Sequence, residues 1–211
     1  MNRQKLKKAE QRFLELFPGG FAHPTMKKLG LKHRPEKMTS LAEEAFMQEN
    51  FQDSAEIVVK MAQLVTRSSM ISLFEKPKFK EFALSLSSRD KDILSQGLMN
   101  FLYQDEARGF EKMLEVLDLY KLAKWSIITI CPFYFRPTKE VFVKPNTTKG
   151  IIDYFEIKEI QYHPRPTYQF YQAYRSIINQ MKQEVDPSLS PGNAEFCGFL
   201  MMAMYNFRLI R

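Results

Sequence analysis

The sequence predicts a mainly α-helical fold: a compact multi-helix domain over residues 1–211, with at most a small two-stranded β element in the proline-rich segment 132–166. Three observations carry this. Apolar residues recur at three- and four-residue steps through most of the chain, the period that lines one face of an α-helix. The interruptions fall at Pro, Gly, Ser, Thr and Asp residues suited to helix ends. The 45% hydrophobic and 13% aromatic content supplies a core, and 26% charge is an ordinary globular share, which excludes global disorder.

The elements follow in order. Leu6, Phe13, Leu14 and Phe17 mark the apolar stripe of a first amphipathic helix, ended by Pro18-Gly19-Gly20. Pro24 and Pro35 each suit a first helical turn, where the missing N–H costs nothing, so helices are expected near 24–30 and 35–50. Asp53 or Ser54 caps the next, with Ile57, Val58, Met61, Leu64 and Val65 inward. Ser87 or Ser88 caps another, with Ile93, Leu94, Leu98, Phe101 and Leu102 inward, and Phe110, Met113, Leu114 and Leu117 form a stripe behind Asp105. Leu122 to Cys131 is apolar nearly all round, as in a central buried helix; a strand is the alternative, because Ile127-Ile128-Thr129-Ile130 is β-branched.

From Pro132 to Pro166 the prolines 132, 137, 145, 164 and 166 break any long helix. Glu140-Val141-Phe142-Val143 alternates weakly and pairs, in this reading, with Gln161-Tyr162-His163. Thr147 or Thr148 caps a helix through Tyr154, and Thr167 caps one running to about Glu184 with Phe170, Tyr171, Tyr174, Ile177, Ile178 and Met181 buried. Ala194 to Tyr205 closes the chain as an apolar helix. The organisation is that of a single domain, with a basic helical segment 1–40 packed on its body.

The formal charge of +7 is unevenly spread. Residues 1–40 carry ten Lys or Arg against Glu10, Glu15 and Glu36, a local +7, and residues 125–182 carry eight against four. The intervening 41–124 is net −3 and the last 29 residues net −1. Two basic blocks of this kind make an anion-binding surface if they meet in space.

Motifs of catalysis are missing. The sequence has no G-x-S-x-G, Walker lysine loop, H-E-x-x-H, G-x-G-x-x-G or C-x-x-C, and His23, His33 and His163 lie far apart. No cofactor and no metal is expected. Cys131 and Cys197 each sit in an apolar stretch and are expected as buried thiols, since two cysteines are no disulfide framework. No apolar run approaches the roughly 18–20 residues that cross a bilayer, and the basic start has no apolar stretch behind it to make a secretory signal. The expected setting is cytoplasmic, with no membrane contact.

One local pattern recurs: a cation, proline, then threonine at Arg136-Pro137-Thr138, Lys144-Pro145-Asn146-Thr147 and Arg165-Pro166-Thr167. A cation before a helix N-terminus faces the positive end of the macrodipole and is disfavoured by about 0.3–1 kcal/mol; a bound anion reverses that sign. Lys144 to Gly150 is the strongest instance, with Lys144 and Lys149 on both sides of Thr147 and Thr148. Aromatics crowd the same region, and Tyr168, Arg175 and Lys182 recur at seven-residue steps, a strip that would be exposed opposite the apolar stripe. The candidate phosphate- or nucleic-acid-binding set is therefore Lys5, Lys8, Arg12, Arg136, Lys144, Thr147, Thr148, Lys149, Arg165, Tyr168, Arg175 and Lys182.

The expected function is non-catalytic binding of nucleic acid or another polyphosphate. Two alternatives stand beside it. One is an enzyme acting on a phosphorylated or nucleic-acid substrate in a pocket among Trp125, Tyr134, Lys144 and Tyr168; the other is a helical protein-interaction module with an acidic partner.

Overall fold

In the computed structural model, which describes residues 1–207, eleven α-helices follow one another, and no strand forms among the described residues. They are α1 (Arg3–Leu16), α2 (Pro24–Leu31), α3 (Pro35–Ala45), α4 (Ser54–Arg67), α5 (Glu75–Ser85), α6 (Ser88–Tyr103), α7 (Glu106–Leu119), α8 (Trp125–Phe135), α9 (Pro145–Tyr154), α10 (Tyr168–Gln183) and α11 (Asn193–Met204). Arg208 and Arg211, part of the charge count of the last segment, lie outside the described residues.

The chain divides into two units. The first comprises Met1–Lys32, Pro137–His163 and Gln169–Arg211; the second comprises His33–Arg136 and Pro164–Tyr168. The basic stretch 1–40 is therefore shared between them, with residues 33–40 in the second.

In the second unit, α3, α4, α6 and α7 all pack on α8. This explains the all-round apolarity of α8, in which every residue from Trp125 to Tyr134 is buried. The helix continues through Pro132 to Phe135, where the sequence suggested a break. Proline's lost N–H falls in the last turn, where little helix remains to disrupt. α4, α6 and α7 start as expected, with the Asp53, Ser87 and Asp105 side chains accepting the backbone N–H of Glu56, Asp90 and Arg108. α6 and α7 approach closely through two glycines: a Cβ on Gly109 would lie 2.2 Å from the Phe101 amide nitrogen.

In the first unit, α11 packs on α1 and α9. Its core is aromatic: Phe13 of α1 meets Phe199 of α11 edge-on at 5.4 Å and Phe21 at 5.3 Å. Leu6, Phe13 and Phe17 are buried as the periodicity of α1 required, and Leu14 is half-buried. Gly20, at φ +64°, touches the Ser188 backbone so closely that a Cβ would meet its carbonyl oxygen at 2.4 Å.

Three local expectations are corrected, and one helix, α5, is unexpected. α5 does not show in the sequence, because its apolar residues lie on two faces: Phe79, Phe82 and Ala83 are buried, while Phe74 and Leu84 are exposed. Glu140–Val143 forms no strand, and all four residues are buried. The helix expected over 35–50 ends at Ala45. α9 starts at Pro145 with Lys144 as its cap residue, so neither Thr147 nor Thr148 caps it.

Candidate anionic-ligand surface

Pro145 sets the start of α9: its fixed φ and absent N–H suit the first helical position. Thr147 and Thr148 are consequently inside the helix. The Thr148 amide donates to the Lys144 carbonyl at 2.8 Å, its residue is 1% exposed, and its hydroxyl hydrogen-bonds with Tyr174. Thr148 is thus occupied. The amides of Asn146 and Thr147, in the first turn, have no helical carbonyl four residues back. Lys144 and Lys149 are exposed, and the Lys149 ammonium lies 5.8 Å from the Tyr162 ring centre.

On α1, Lys8 is exposed with no carboxylate at ion-pair distance among the described residues, as expected. Lys5 is not free. Its ammonium pairs with Glu156 at 2.8 Å and donates to the Tyr154 carbonyl at 3.1 Å, joining α1 to the end of α9. The hydrogen bonds from Lys5 and Asn2 hold the Glu156 carboxyl below the usual carboxylate range. Arg12 pairs with Glu15 at 3.2 Å. Lys5→Glu is expected to lower the melting temperature measurably, through loss of this pair and repulsion from Glu156. Lys8→Glu should leave the melt unchanged, and equal melts for the two variants would show that the Lys5 tether carries no weight.

The strip expected on α10 is not a solvent strip. Arg175 is 9% exposed, and its guanidinium Nη1 donates to Glu140 Oε2 at 2.7 Å. The Tyr171 hydroxyl donates to the same oxygen at 2.8 Å, and Glu140 is 0% exposed. Burial first, then the Glu140 charge, push the Tyr171 hydroxyl well above the ordinary tyrosine range. The other carboxylate oxygen, Oε1, has the Lys139 ammonium at 3.6 Å, beyond hydrogen-bond reach. Lys182 donates to the Thr138 carbonyl at 2.6 Å and to Asn193 Oδ1 at 2.7 Å, and loss of solvation lowers its pKa. Asn193, fully buried at the start of α11, also donates to the Glu140 carbonyl at 2.9 Å. These groups fasten residues 138–141, at and after a turn, to α10 and α11.

In the second unit, Arg136 donates to the Leu102 carbonyl and stacks its guanidinium 5.6 Å from the Phe135 ring centre. Arg165 pairs with Asp118, on the rim of a surface groove of about 480 Å³ that also includes Arg108, Lys112 and Glu115. Tyr168 is half-buried, its hydroxyl donating to Glu106 at 3.2 Å and its ring 5.9 Å from that of Phe110. Trp125 and Tyr134, expected to line a pocket, are 1% and 4% exposed and belong to the packing around α8. Cys131 is buried and Cys197 half-buried; both are free. Lost solvation pushes the Cys197 thiol up to about 12, and that of Cys131 further still, so neither is a thiolate nucleophile at neutral pH.

Of the candidate set, Lys8, Lys144 and Lys149 remain open to an external anion. Three further lysines join them. Lys27, Lys28 and Lys32, on α2 and at its end, are exposed with no carboxylate at ion-pair distance among the described residues. Their signal is in the charge count, where no acidic residue occurs between Glu15 and Glu36. All six belong to the first unit. Its carboxylates Glu10, Glu15, Glu140, Glu156, Glu159 and Glu184 are already paired with cations. By sequence the first unit holds 16 Lys or Arg against nine Asp or Glu, while the second holds 15 of each. The formal +7 therefore resides entirely in the first unit.

Among the described residues no three His, Cys, Asp or Glu side chains could share a metal ion, and no helix is long and apolar enough to cross a membrane. Compared with known protein families, curated proteins and solved structures, the chain matches none.

Proposed function

We propose that this protein binds nucleic acid or another polyphosphate, without catalysis, through the lysines of its first unit. The observation that supports this reading is the segregation of charge. The two basic stretches of sequence contribute most of their cations to one unit, and the remaining unit is electrically balanced. Lys8, Lys27, Lys28, Lys32, Lys144 and Lys149 have no carboxylate at ion-pair distance among the described residues. Lysines of this kind suit phosphate backbones, which are read as charge and not as sequence. Lys144 and Lys149 flank the first turn of α9, whose amides have no carbonyl within the helix to bond. A cytoplasmic setting is part of the same reading, in keeping with two free thiols.

Fluorescence anisotropy with labelled single-stranded and duplex oligonucleotides, at several salt concentrations, tests it. Binding should show little sequence preference, and log affinity should fall linearly with log salt at roughly 0.7–0.9 per phosphate contact. Replacing Lys27, Lys28 and Lys32 together by Gln should weaken binding to all sequences alike and flatten that slope by about one unit for each phosphate no longer neutralised. Replacing Lys144 and Lys149 by Ala should act in the same direction. Absence of binding at low salt, or binding that these variants leave unchanged, rejects the proposal.

A further inference from the structure

The connection from α4 to α5 carries the most exposed large apolar side chains among the described residues: Leu73 is 80% exposed and Phe74 83%. They are the two middle residues of the turn Ser72–Glu75, and the turn is held in place. The Ser72 hydroxyl accepts the Phe74 amide at 3.1 Å, and its carbonyl accepts the amide of Glu75 at 3.0 Å. On one side Ile71 is buried and Ser68 is hydrogen-bonded to the Tyr134 hydroxyl at 2.9 Å. On the other, Glu75 accepts from Ser126 at 3.2 Å and pairs with Lys124 at 3.3 Å. The turn is thus a fixed pedestal from which its two apolar side chains project.

The first turns of α5 that follow them are rich in lysine. Lys76, Lys78 and Lys80 follow on α5, and none has a carboxylate at ion-pair distance among the described residues. Glu75, the acid of the turn, is neutralised by Lys124. Glu81, seven residues after Phe74, lies about 10 Å up the helix axis, one position beyond Lys80. An apolar tip with a collar of long cationic side chains has the form that enters a lipid interface to a depth of about 5–10 Å, its lysines reaching back to anionic headgroups. A projecting tip needs no complementary pocket there, since a fluid interface closes around it.

We propose that Leu73 and Phe74 insert into the surface of a bilayer bearing anionic headgroups, with Lys76, Lys78 and Lys80 at the headgroup level. This is surface contact, to which the length of the helices is irrelevant, and it is independent of the lysines of the first unit. The test is partition of the intact protein onto phosphatidylcholine vesicles with and without about 30% phosphatidylserine, by co-sedimentation. Wild type should favour the anionic vesicles by about tenfold or more. Leu73→Ala with Phe74→Ala should lose about tenfold in binding, and Lys76, Lys78 and Lys80 changed to Gln should lose about fivefold per lysine. Phe74→Trp should shift its emission to the blue on binding, because the indole leaves water. Leu84→Ala is the discriminating control: Leu84 is 73% exposed on the same helix but about 15 Å from Phe74, so its loss should change nothing. Anionic-vesicle binding that survives the Leu73, Phe74 double substitution overturns the proposal and points to the first unit's lysines instead. If Leu84→Ala weakens binding as much as Phe74→Ala, the whole face of α5 docks, as onto a protein groove, and tip insertion is likewise overturned.

Discussion

Glu140→Ala is expected to lower stability by about 3–5 kcal/mol, because breaking a buried ion pair removes the carboxylate that the Arg175 guanidinium meets at 2.7 Å. Arg175 has a side chain 10% exposed and Glu140 one that is 0% exposed, so water cannot replace the lost carboxylate. Tyr171 loses the nearer acceptor of its hydroxyl in the same step, keeping the Val141 carbonyl at 3.4 Å. At roughly 2–4 °C per kcal/mol for a chain of this size, the melting temperature should fall by roughly 6–20 °C. Tyr171→Phe removes one hydrogen bond to the carboxylate and should cost about 1 kcal/mol. Replacing both charges, Glu140→Leu with Arg175→Met, should recover much of the loss, since an apolar pair of similar volume often equals a buried ion pair. Chemical denaturation of the four proteins decides the matter. If Glu140→Ala unfolds within about 0.5 kcal/mol of wild type, the pair carries no structural weight and the bonds from Asn179, Lys182 and Asn193 suffice to hold segment 138–141.

The helices that the sequence reveals are those whose signals are local. Asp53, Ser87 and Asp105 are caps that act within three residues, and the stripes of α4 and α7 face one way. α5 fails that test because Phe74 and Leu84 face outward while Phe79 and Phe82 face inward, so no single stripe marks it. The start of α9 misleads because two good cap residues, Thr147 and Thr148, follow a proline that fixes the first turn earlier. The candidate site is legible in its charge and illegible in its partners. Seven-residue spacing puts Arg175 and Lys182 on one face of α10, but whether that face is wet depends on Glu140 and Asn193, 35 and 11 residues away. Helical period likewise assigns Lys5 to solvent, whereas Glu156 claims it across the fold. Periodicity names a face; the side chains opposite it decide what the face does. For Lys27, Lys28 and Lys32 no such partner exists among the described residues, and the plain charge count is the better guide.

Gly109→Ala is expected to be strongly destabilising, against the ordinary rule that alanine improves a helix by about 1 kcal/mol over glycine. At Gly109 of α7 the added Cβ would lie 2.2 Å from the Phe101 nitrogen, 2.6 Å from the Gly97 carbonyl oxygen and 2.7 Å from the Phe101 Cα, all backbone atoms of α6. No rotamer change relieves such contacts, so the two helices must separate along their whole seam. The cost should reach or exceed the upper end of the roughly 1–3 kcal/mol typical of overpacking, even after the propensity gain. Gly97→Ala, where the nearest atoms are the Met113 Cγ and nitrogen at 2.9 Å, should cost less, because its backbone contacts are longer than those at Gly109 and the Met113 side chain can move. Gly30 provides the opposite case: it lies inside α2, with no positive φ and no atom within 4 Å of where an alanine methyl would sit. Gly30→Ala should therefore stabilise by about 0.4–1 kcal/mol through the unfolded chain. Thermal melts followed by circular dichroism should rank the proteins Gly30→Ala, wild type, Gly97→Ala, Gly109→Ala from most to least stable. A Gly109→Ala protein that melts at or above wild type would mean that α6 and α7 do not meet at these glycines, and the central packing of the second unit would have to be redrawn.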